Sequence, residues 1–283
     1  MITLLRGKDT EVKIQTDGPA TLIGEKINPT GRKKLAAALV ERNLDYIRNL
    51  ATSQVAAGAD VLDVNVGMPG ADDAALLPEI IKLVTSVVNV PICIDTPNPA
   101  ALAAALAVVP GKPLVNSVNG GERSLQAVLP LVKDRGAAVI GLVLDETGIP
   151  ATAEARLAVA ARIIERATRI GIALEDILID PLVLTVGSND QAASVTLKTI
   201  ELVRRRFGVN INLGASNVSF GLPDRQTINQ AFQALAIGAG ASCLITDAAK
   251  FARTIRAADL LLGRDHYSKR FITYFRQHPV ETT

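Results

Sequence analysis

The chain has 283 residues, of which 48% are hydrophobic and 20% charged, and its formal net charge is +2. A chain of this length and apolar content can bury a large core, which excludes general disorder. Its 30 basic and 28 acidic residues give no clustered basic excess, so we expect neither a nucleic-acid nor a membrane-surface partner.

Predicted strands and helices alternate along the chain after an N-terminal hairpin at residues 1–20, which carries a Gly7-Lys8-Asp9 turn. Strands are predicted at residues 21–23, 61–64, 91–94, 113–115, 138–143, 177–179, 210–213 and 242–245. Apolar residues three and four apart predict helices between them, among which are 35–51, 125–133, 153–170, 195–206 and 228–236. The tail, 264–283, carries four aromatic residues and is predicted to end in a packed helix, with an oligomer interface as the alternative.

Eight strands, each followed by a helix, are typical of a (β/α)8 barrel, also called a TIM barrel. A doubly wound sheet has the same alternation, but eight nearly equal units favour a closed barrel. Because no linker or shift in composition divides the chain, we predict one α/β domain over residues 1–283. The N-terminal hairpin is expected to cover the bottom of the barrel.

Both cysteines, Cys93 and Cys243, lie in short apolar runs and cannot form a disulfide framework. We therefore expect buried thiols and a reducing, cytoplasmic location. Neither cysteine has a second Cys or His at the spacing of metal ligands, so no metal site is predicted. No apolar run reaches the roughly 18 residues that a membrane span requires.

Acidic and amide residues recur where the predicted strands end, which in a (β/α)8 barrel is where the active site lies. They are Glu25, Asn28, Asp63, Asn65, Asp95, Asn116, Asp180, Asn217 and Asp247. Such residues also cap helices, and this is the favoured interpretation for Asp247. We expect Asp95, Asn116 and Asp180 to lie immediately at strand ends and to point into the barrel mouth. A ligand that presents hydrogen-bond donors would then compensate the buried carboxylates.

The sequence lacks the motifs for two common ligand classes. No Gly-x-Gly-x-x-Gly motif for a dinucleotide follows a strand, and no Walker loop for a nucleoside triphosphate occurs. A flat heterocycle with an amino-amide edge suits the ring of polar residues better. The carboxylate of Asp180 can accept two parallel N–H bonds from a 2-amino-4-oxo pyrimidine. The carboxamide of Asn116 both donates and accepts, which matches a mixed polar edge.

Six stretches resemble the pterin-binding barrel of corrinoid-linked methyltetrahydrofolate methyltransferases and the folate-binding module of cobalamin-dependent methionine synthase. They are residues 23–28 (IGEKIN), 58–65 (GADVLDVN), 94–96 (IDT), 115–117 (VNS), 179–182 (IDPL) and 214–223 (GASNVSFGLP). The last stretch is the most specific, and the resemblance runs from about residue 21 to residue 263.

The resemblance implies a methyltransferase of one-carbon metabolism that uses tetrahydrofolate or 5-methyltetrahydrofolate as substrate. The methyl group would pass between the folate N5 and the cobalt of a corrinoid (cobalamin), with the direction left open. Since the sequence has no Asp-x-His-x-x-Gly motif for binding cobalamin, a separate corrinoid protein is expected to dock over the barrel mouth. The resemblance also implies a homodimer.

Carried over by position, the resemblance implies a role for eight residues. Asp95, Asn116 and Asp180 would hold the pterin edge, with Asn28 beside it, Arg225 along the pterin or benzoyl-glutamate part, and Gly214 and Ser216 shaping the loop of Asn217. Asn217 would approach N5, and water and Asp95 would share in stabilising the charge that develops there. Asn217 and Asp95 are therefore the expected catalytic residues. For Glu25, Asp63 and Asn65 a bracing role is an equal alternative.

Two other functions remain open at this point. Dihydropteroate synthases share the fold and the aspartates of the third and sixth strands, but their Asn-Val-Thr-Pro-Asp-Ser-Phe motif is replaced here by Ile27-Asn28-Pro29-Thr30. Their Ser-Arg-Lys segment and closing Arg-x-His are also missing. A non-catalytic pterin- or folate-binding protein would bind the same ligand without turnover.

Overall fold

Eight parallel strands close into a barrel in the computed structural model, which describes residues 1–279. Before them, β1 (Ile2–Arg6) and β2 (Glu11–Gln15) form the N-terminal hairpin. The barrel strands are β3 (Thr21–Ile27), β4 (Val61–Val64), β5 (Ile92–Asp95), β6 (Leu114–Asn119), β7 (Ala138–Leu142), β8 (Ile177–Asp180), β9 (Asn210–Gly214) and β10 (Cys243–Thr246). Strands β3 to β10 pair in chain order, and β10 pairs with β3 to close the ring. The predicted (β/α)8 barrel is confirmed.

Helices follow the barrel strands. They are α1 (Lys33–Val40), α2 (Leu44–Ala56), α3 (Asp73–Val87), α4 (Pro99–Val108), α5 (Glu122–Arg135), α6 (Ala153–Arg169), α7 (Ala192–Phe207), α8 (Arg225–Ala239), α9 (Ala248–Leu261) and α10 (Lys269–Gln277). The single helix predicted over 35–51 is wrong, because the chain breaks into α1 and α2. The side chain of Asn43 accepts a hydrogen bond from the Tyr46 backbone N–H and starts the second helix.

The hairpin of β1 and β2 closes the bottom of the barrel, as predicted. Leu5 and Ile14 are fully buried and pack with residues inside the barrel, among them Ile23, Val61 and Cys93. A second and larger core fills the layer between the strands and the helices. Both cysteines are buried free thiols, in agreement with the sequence interpretation. The closed bottom leaves the opposite end, the barrel mouth, for ligands.

The tail forms the predicted final helix, α10, up to residue 277. Tyr274 is buried, and its ring stacks on that of His278 with centroids 4.2 Å apart. Tyr267, in contrast, is 99% exposed. The last four residues of the predicted tail, 280–283, lie outside the described part of the chain. Within residues 1–279, none of the helices has the length and apolarity needed to cross a bilayer.

Candidate active site

A cavity of about 1280 Å³, called here the mouth cavity, occupies the carboxyl end of the barrel. All eight residues that the sequence singled out for ligand contact line it: Asn28, Asp95, Asn116, Asp180, Gly214, Ser216, Asn217 and Arg225. They come from five strands, β3, β5, β6, β8 and β9, or from the segments that follow them. They are distant in sequence and are brought together only when the barrel closes.

Asp95 and Asp180 are the last residues of β5 and β8, as expected. Asn116 differs from the expectation, because β6 continues for three residues beyond it to Asn119. It nevertheless lines the cavity, and in the parallel register it lies opposite Asp95. Its place in the site is therefore set by strand pairing, although it does not end a strand.

Two amide groups hold the carboxylate of Asp95. Asn65 Nδ2 donates to Asp95 Oδ2 at 2.9 Å, and Asn28 Nδ2 donates to the same oxygen at 3.4 Å. Burial raises the pKa of Asp95 above its ordinary value, and the bond from Asn65 opposes that shift. Asp95 can therefore carry a proton closer to neutral pH than an exposed aspartate can.

Asp63 is buried and contacts Asn116. Asn116 Nδ2 donates to Asp63 Oδ1 at 3.2 Å. Burial first, and then the nearby charge of Asp95, hold the pKa of Asp63 well above its ordinary value. The side-chain nitrogen of Asn116 is engaged by Asp63, whereas its side-chain oxygen, Oδ1, has no donor within residues 1–279 and can accept from a ligand.

The carboxylate of Asp180 is held on both oxygens. The Leu182 backbone N–H donates to Oδ1 at 2.8 Å, and Asn212 Nδ2 donates to Oδ2 at 2.7 Å. Burial nevertheless raises the pKa of Asp180 to about 6. Sequence reasoning missed Asn212, although an asparagine inside the apolar run Ile211-Asn212-Leu213 is a signal of a buried polar contact.

The segment after β9 forms a short 3-10 helix, Ala215–Ser219, with Asn217 exposed towards the mouth cavity. Arg225 fixes this segment from below, because its Nη2 donates to the Ser216 carbonyl at 2.8 Å and its Nε to Ser219 Oγ at 3.1 Å. A Cβ at Gly214 would lie only 3.2 Å from Asn217 Nδ2. Glycine therefore leaves room for the amide of Asn217.

Glu25 joins β3 to this segment, since Ser216 Oγ donates to Glu25 Oε2 at 3.1 Å. Its other oxygen, Oε1, accepts from Arg32 Nη2 at 3.3 Å. Burial raises the pKa of Glu25, while the charge of Arg32 and the bond from Ser216 oppose that change. Sequence reasoning missed Arg32, which also donates to the backbone carbonyls of Glu25 and Asn28.

A buried guanidinium supports the loop after β8 and was also missed. Arg156 is 2% exposed, and its donors bind the carbonyls of Pro150, Pro181 and Leu182 at 2.9–3.0 Å. Leu182 has a positive φ of 61°, which this loop sustains with the bonds from Arg156 and to Asp180. Arg156 thus positions the residues next to the Asp180 carboxylate.

Together these contacts give a cavity whose floor carries hydrogen-bond acceptors and whose wall carries the exposed amide of Asn217. The acceptors, Asp95, Asp180 and the Asn116 carbonyl, suit a flat ligand with several N–H groups along one edge. In the described residues, no group of three or more His, Cys, Asp or Glu side chains is arranged to hold a metal ion.

Comparisons with known proteins identify the family of the chain. The family described as pterin binding enzyme matches residues 24–247, which include all the residues discussed for the mouth cavity. A methylcorrinoid:tetrahydrofolate methyltransferase from Eubacterium limosum is 31% identical over 92% of this chain and 97% of its own length. Methionine synthase from Mycobacterium tuberculosis is 31% identical over 85% of this chain, which spans only 21% of that protein.

Solved structures show the same fold. Dihydropteroate synthase from Yersinia pestis superposes with a TM-score of 0.70 at 17% identity, over 93% of this chain and 100% of the other. Dihydropteroate synthase from Xanthomonas albilineans gives 0.68 at 21% identity, over 94% of this chain and 100% of the other. At such identities the similarity shows a shared fold and nothing about function. The family match and the 31% identical relative show more: the chain belongs to the pterin-binding enzyme family.

Proposed function

We propose that the protein is a methyltransferase that moves a methyl group between N5 of tetrahydrofolate and the cobalt of a separate corrinoid protein. The observation that carries the proposal is that the exposed Asn217 lines the same cavity as the acceptors Asp95, Asn116 and Asp180. The relative covered over 97% of its length bears the name of this activity, which supports the same assignment.

The floor of the mouth cavity would bind the pterin. Asp180, held by Leu182 and Asn212, is fixed so that it can accept the two N–H groups of an amino-pyrimidine edge. The carbonyl oxygen of Asn116 would accept a further N–H, and Asp95 would bind along the same edge. These contacts orient the ring and exclude water from its edge, so that N5 is presented to the wall of the cavity.

At N5 the reaction requires control of one proton. Loss of the methyl group from N5 becomes easier as N5 gains a hydrogen bond or a proton, because a tertiary amine is a poor leaving group. In the opposite direction N5 attacks the methyl group and must then release its proton. The neutral amide of Asn217 can donate a hydrogen bond at N5, whereas water and the Asp95 carboxyl, with its raised pKa, would hold the proton.

The corrinoid would be supplied by another protein. The sequence carries no Asp-x-His-x-x-Gly motif, and the mouth cavity opens at the end of the barrel opposite the hairpin. A corrinoid protein that docks over the mouth would bring its cobalt in line with N5. The homodimer and the cytoplasmic location remain predictions.

The assay mixes the protein with 5-methyltetrahydrofolate and cob(I)alamin or a reduced corrinoid protein, and follows the cobalt absorption spectrum. We expect protein-dependent methylation of the cobalt, and the reverse conversion when methylcobalamin and tetrahydrofolate are supplied. A variant at an exposed residue on α7, Lys198→Gln, is the folded control. Tight folate binding without turnover would favour a carrier. Condensation of p-aminobenzoate with a pterin diphosphate would favour a synthase.

A further inference from the structure

A second cavity of about 560 Å³, called here the side cavity, lies next to the mouth cavity. It is bounded by the segment between β3 and α1, by helix α2 and by the start of α9. Gly31 and Arg32 line both cavities, so the two cavities adjoin at this short segment. A chain-like ligand that leaves the mouth over residues 31 and 32 would enter the side cavity.

The walls of the side cavity are strongly basic. Four cations, Lys26, Arg32, Lys33 and Lys34, face one carboxylate, Asp247. Lys26 pairs with Asp247 at 2.5 Å, and Arg32 pairs with Glu25 at 3.3 Å. Within residues 1–279, neither Lys33 nor Lys34 has a carboxylate within ion-pair distance, so the cavity keeps an unneutralised positive charge that favours an anion.

The start of α1 adds to this preference. Lys33 and Lys34 are the first two residues of the helix, Arg32 precedes them, and the first turn has no acidic residue. Cations at this end oppose the helix dipole, and the Arg32 side chain makes no capping bond. A bound carboxylate would offset both the charges and the free N–H groups of the first turn.

The one carboxylate in the wall of the side cavity, Asp247, is itself buried. Asp247 is 5% exposed, and its Oδ2 accepts from Lys26. Its Oδ1 is buried and has no hydrogen-bond partner among the described residues. Asp247 precedes α9, as the predicted helix cap requires, but its side chain makes no capping hydrogen bond. Asp247 therefore offers no accessible charge that could offset the lysines, since its other oxygen is taken by Lys26.

We propose that the side cavity binds the γ-glutamyl tail of a polyglutamylated folate whose pterin occupies the mouth cavity. Each added γ-linked glutamate brings one carboxylate for Lys33 or Lys34. An inorganic anion could also bind the lysines, but only a tail joined to the bound folate would raise the affinity of that folate. This inference rests on the proposed function, since it needs a folate in the mouth cavity.

The first experiment compares 5-methyltetrahydrofolate with one and with three glutamates by isothermal titration calorimetry on the full chain. We expect the triglutamate to bind at least about ten-fold more tightly, because the tail binds a second site on the same molecule. The difference should shrink at high salt, since charge contacts at a partly exposed cavity are screened. Equal affinities would overturn the proposal.

A matched pair of double variants tests the location. The double variant Lys33→Gln, Lys34→Gln should reduce the triglutamate advantage to about two-fold or less, with monoglutamate affinity unchanged. The control, Lys8→Gln with Lys198→Gln, removes the same charge at exposed positions outside both cavities and should keep the full advantage. An advantage that persists in the first variant would place the tail elsewhere and overturn the proposal.

Lysine acetylation followed by mass spectrometry gives a second readout. The triglutamate should protect Lys33 and Lys34 from the reagent, while the monoglutamate and a free tri-γ-glutamate peptide should leave them reactive. Protection by the free peptide alone would assign the cavity to separate acidic peptides instead. Failure of the monoglutamate to bind at all would contradict the proposed function, whereas a monoglutamate that binds with no gain from the tail contradicts only this inference.

Discussion

Ser216 donates a hydrogen bond to Glu25 across the barrel mouth, with 3.1 Å between Oγ and Oε2. The two residues are 191 positions apart, and the bond ties the segment that carries Asn217 to the first strand of the barrel. Arg32 holds the other oxygen of Glu25. Because Asn217 follows Ser216 directly, its position over the cavity floor depends on a carboxylate that need not touch the ligand.

Two substitutions of Glu25 distinguish its role in positioning Asn217 from a role of its negative charge. In Glu25→Gln the amide can accept from Arg32 and donate to Ser216, so we expect kcat within about three-fold of the wild type. In Glu25→Ala both contacts are lost, and displacement of Asn217 should lower kcat by about ten-fold or more. Steady-state kinetics at saturating folate measure both, with thermal unfolding as the check on the fold. Equal losses in the two variants would assign Glu25 a role through its charge.

Asn217→Ala tests the proposed contact with N5. We expect kcat to fall by about 100-fold, because one positioned donor at a developing charge contributes that much in comparable sites. Folate affinity should change by less than about three-fold, since the pterin edge is bound by other residues. Stopped-flow measurement of cobalt methylation and calorimetric binding give the two values. A loss of only a few-fold in kcat, with binding unchanged, would argue against this role.

The parts of the site that follow from strand position were predictable from the sequence. Asp95 and Asp180 end strands, and in a (β/α)8 barrel the ends of all strands meet at one mouth. The break near Asn43 could also have been anticipated, because asparagine is a strong helix start signal. These features depend on short segments and on one topological rule.

Features that depend on contacts between distant segments could not be predicted. Asn212 donates to Asp180 across 32 residues of sequence, and Arg156 binds carbonyls about 25 residues away. Their partners are fixed only by the register of β8 with β9 and by the packing of α6. The extension of β6 beyond Asn116 is similar, since pairing with β7 sustains it up to Asn119. Alternation of apolar and polar residues does not encode such pairings.

Arg156→Ala should destabilise the protein more than most surface changes. The variant leaves three carbonyl groups without their charged donor, so we expect the free energy of unfolding to fall by about 3 kcal/mol. Arg169→Ala is the control on the same helix, because Arg169 is 65% exposed and should contribute less than about 1 kcal/mol. Urea unfolding followed by circular dichroism measures both. Equal losses would show that the buried contacts of Arg156 add little.

Folate binding should depend on pH through Asp180, whose pKa is raised to about 6 by burial. The N–H groups of the pterin edge bind the ionised carboxylate, so binding lowers this pKa. Affinity should therefore be constant above about pH 7 and fall by about ten-fold per pH unit below pH 6. In Asp180→Asn the part of this dependence that Asp180 contributes should vanish, with affinity at pH 7 weaker by about 100-fold because a charged acceptor is lost. Calorimetry from pH 5 to pH 8 measures both proteins, and any slope left in the variant reports ionisation of the folate or of Asp95 and Asp63, whose pKa values burial also raises. A wild-type slope equal to that of the variant would remove Asp180 from the pterin edge.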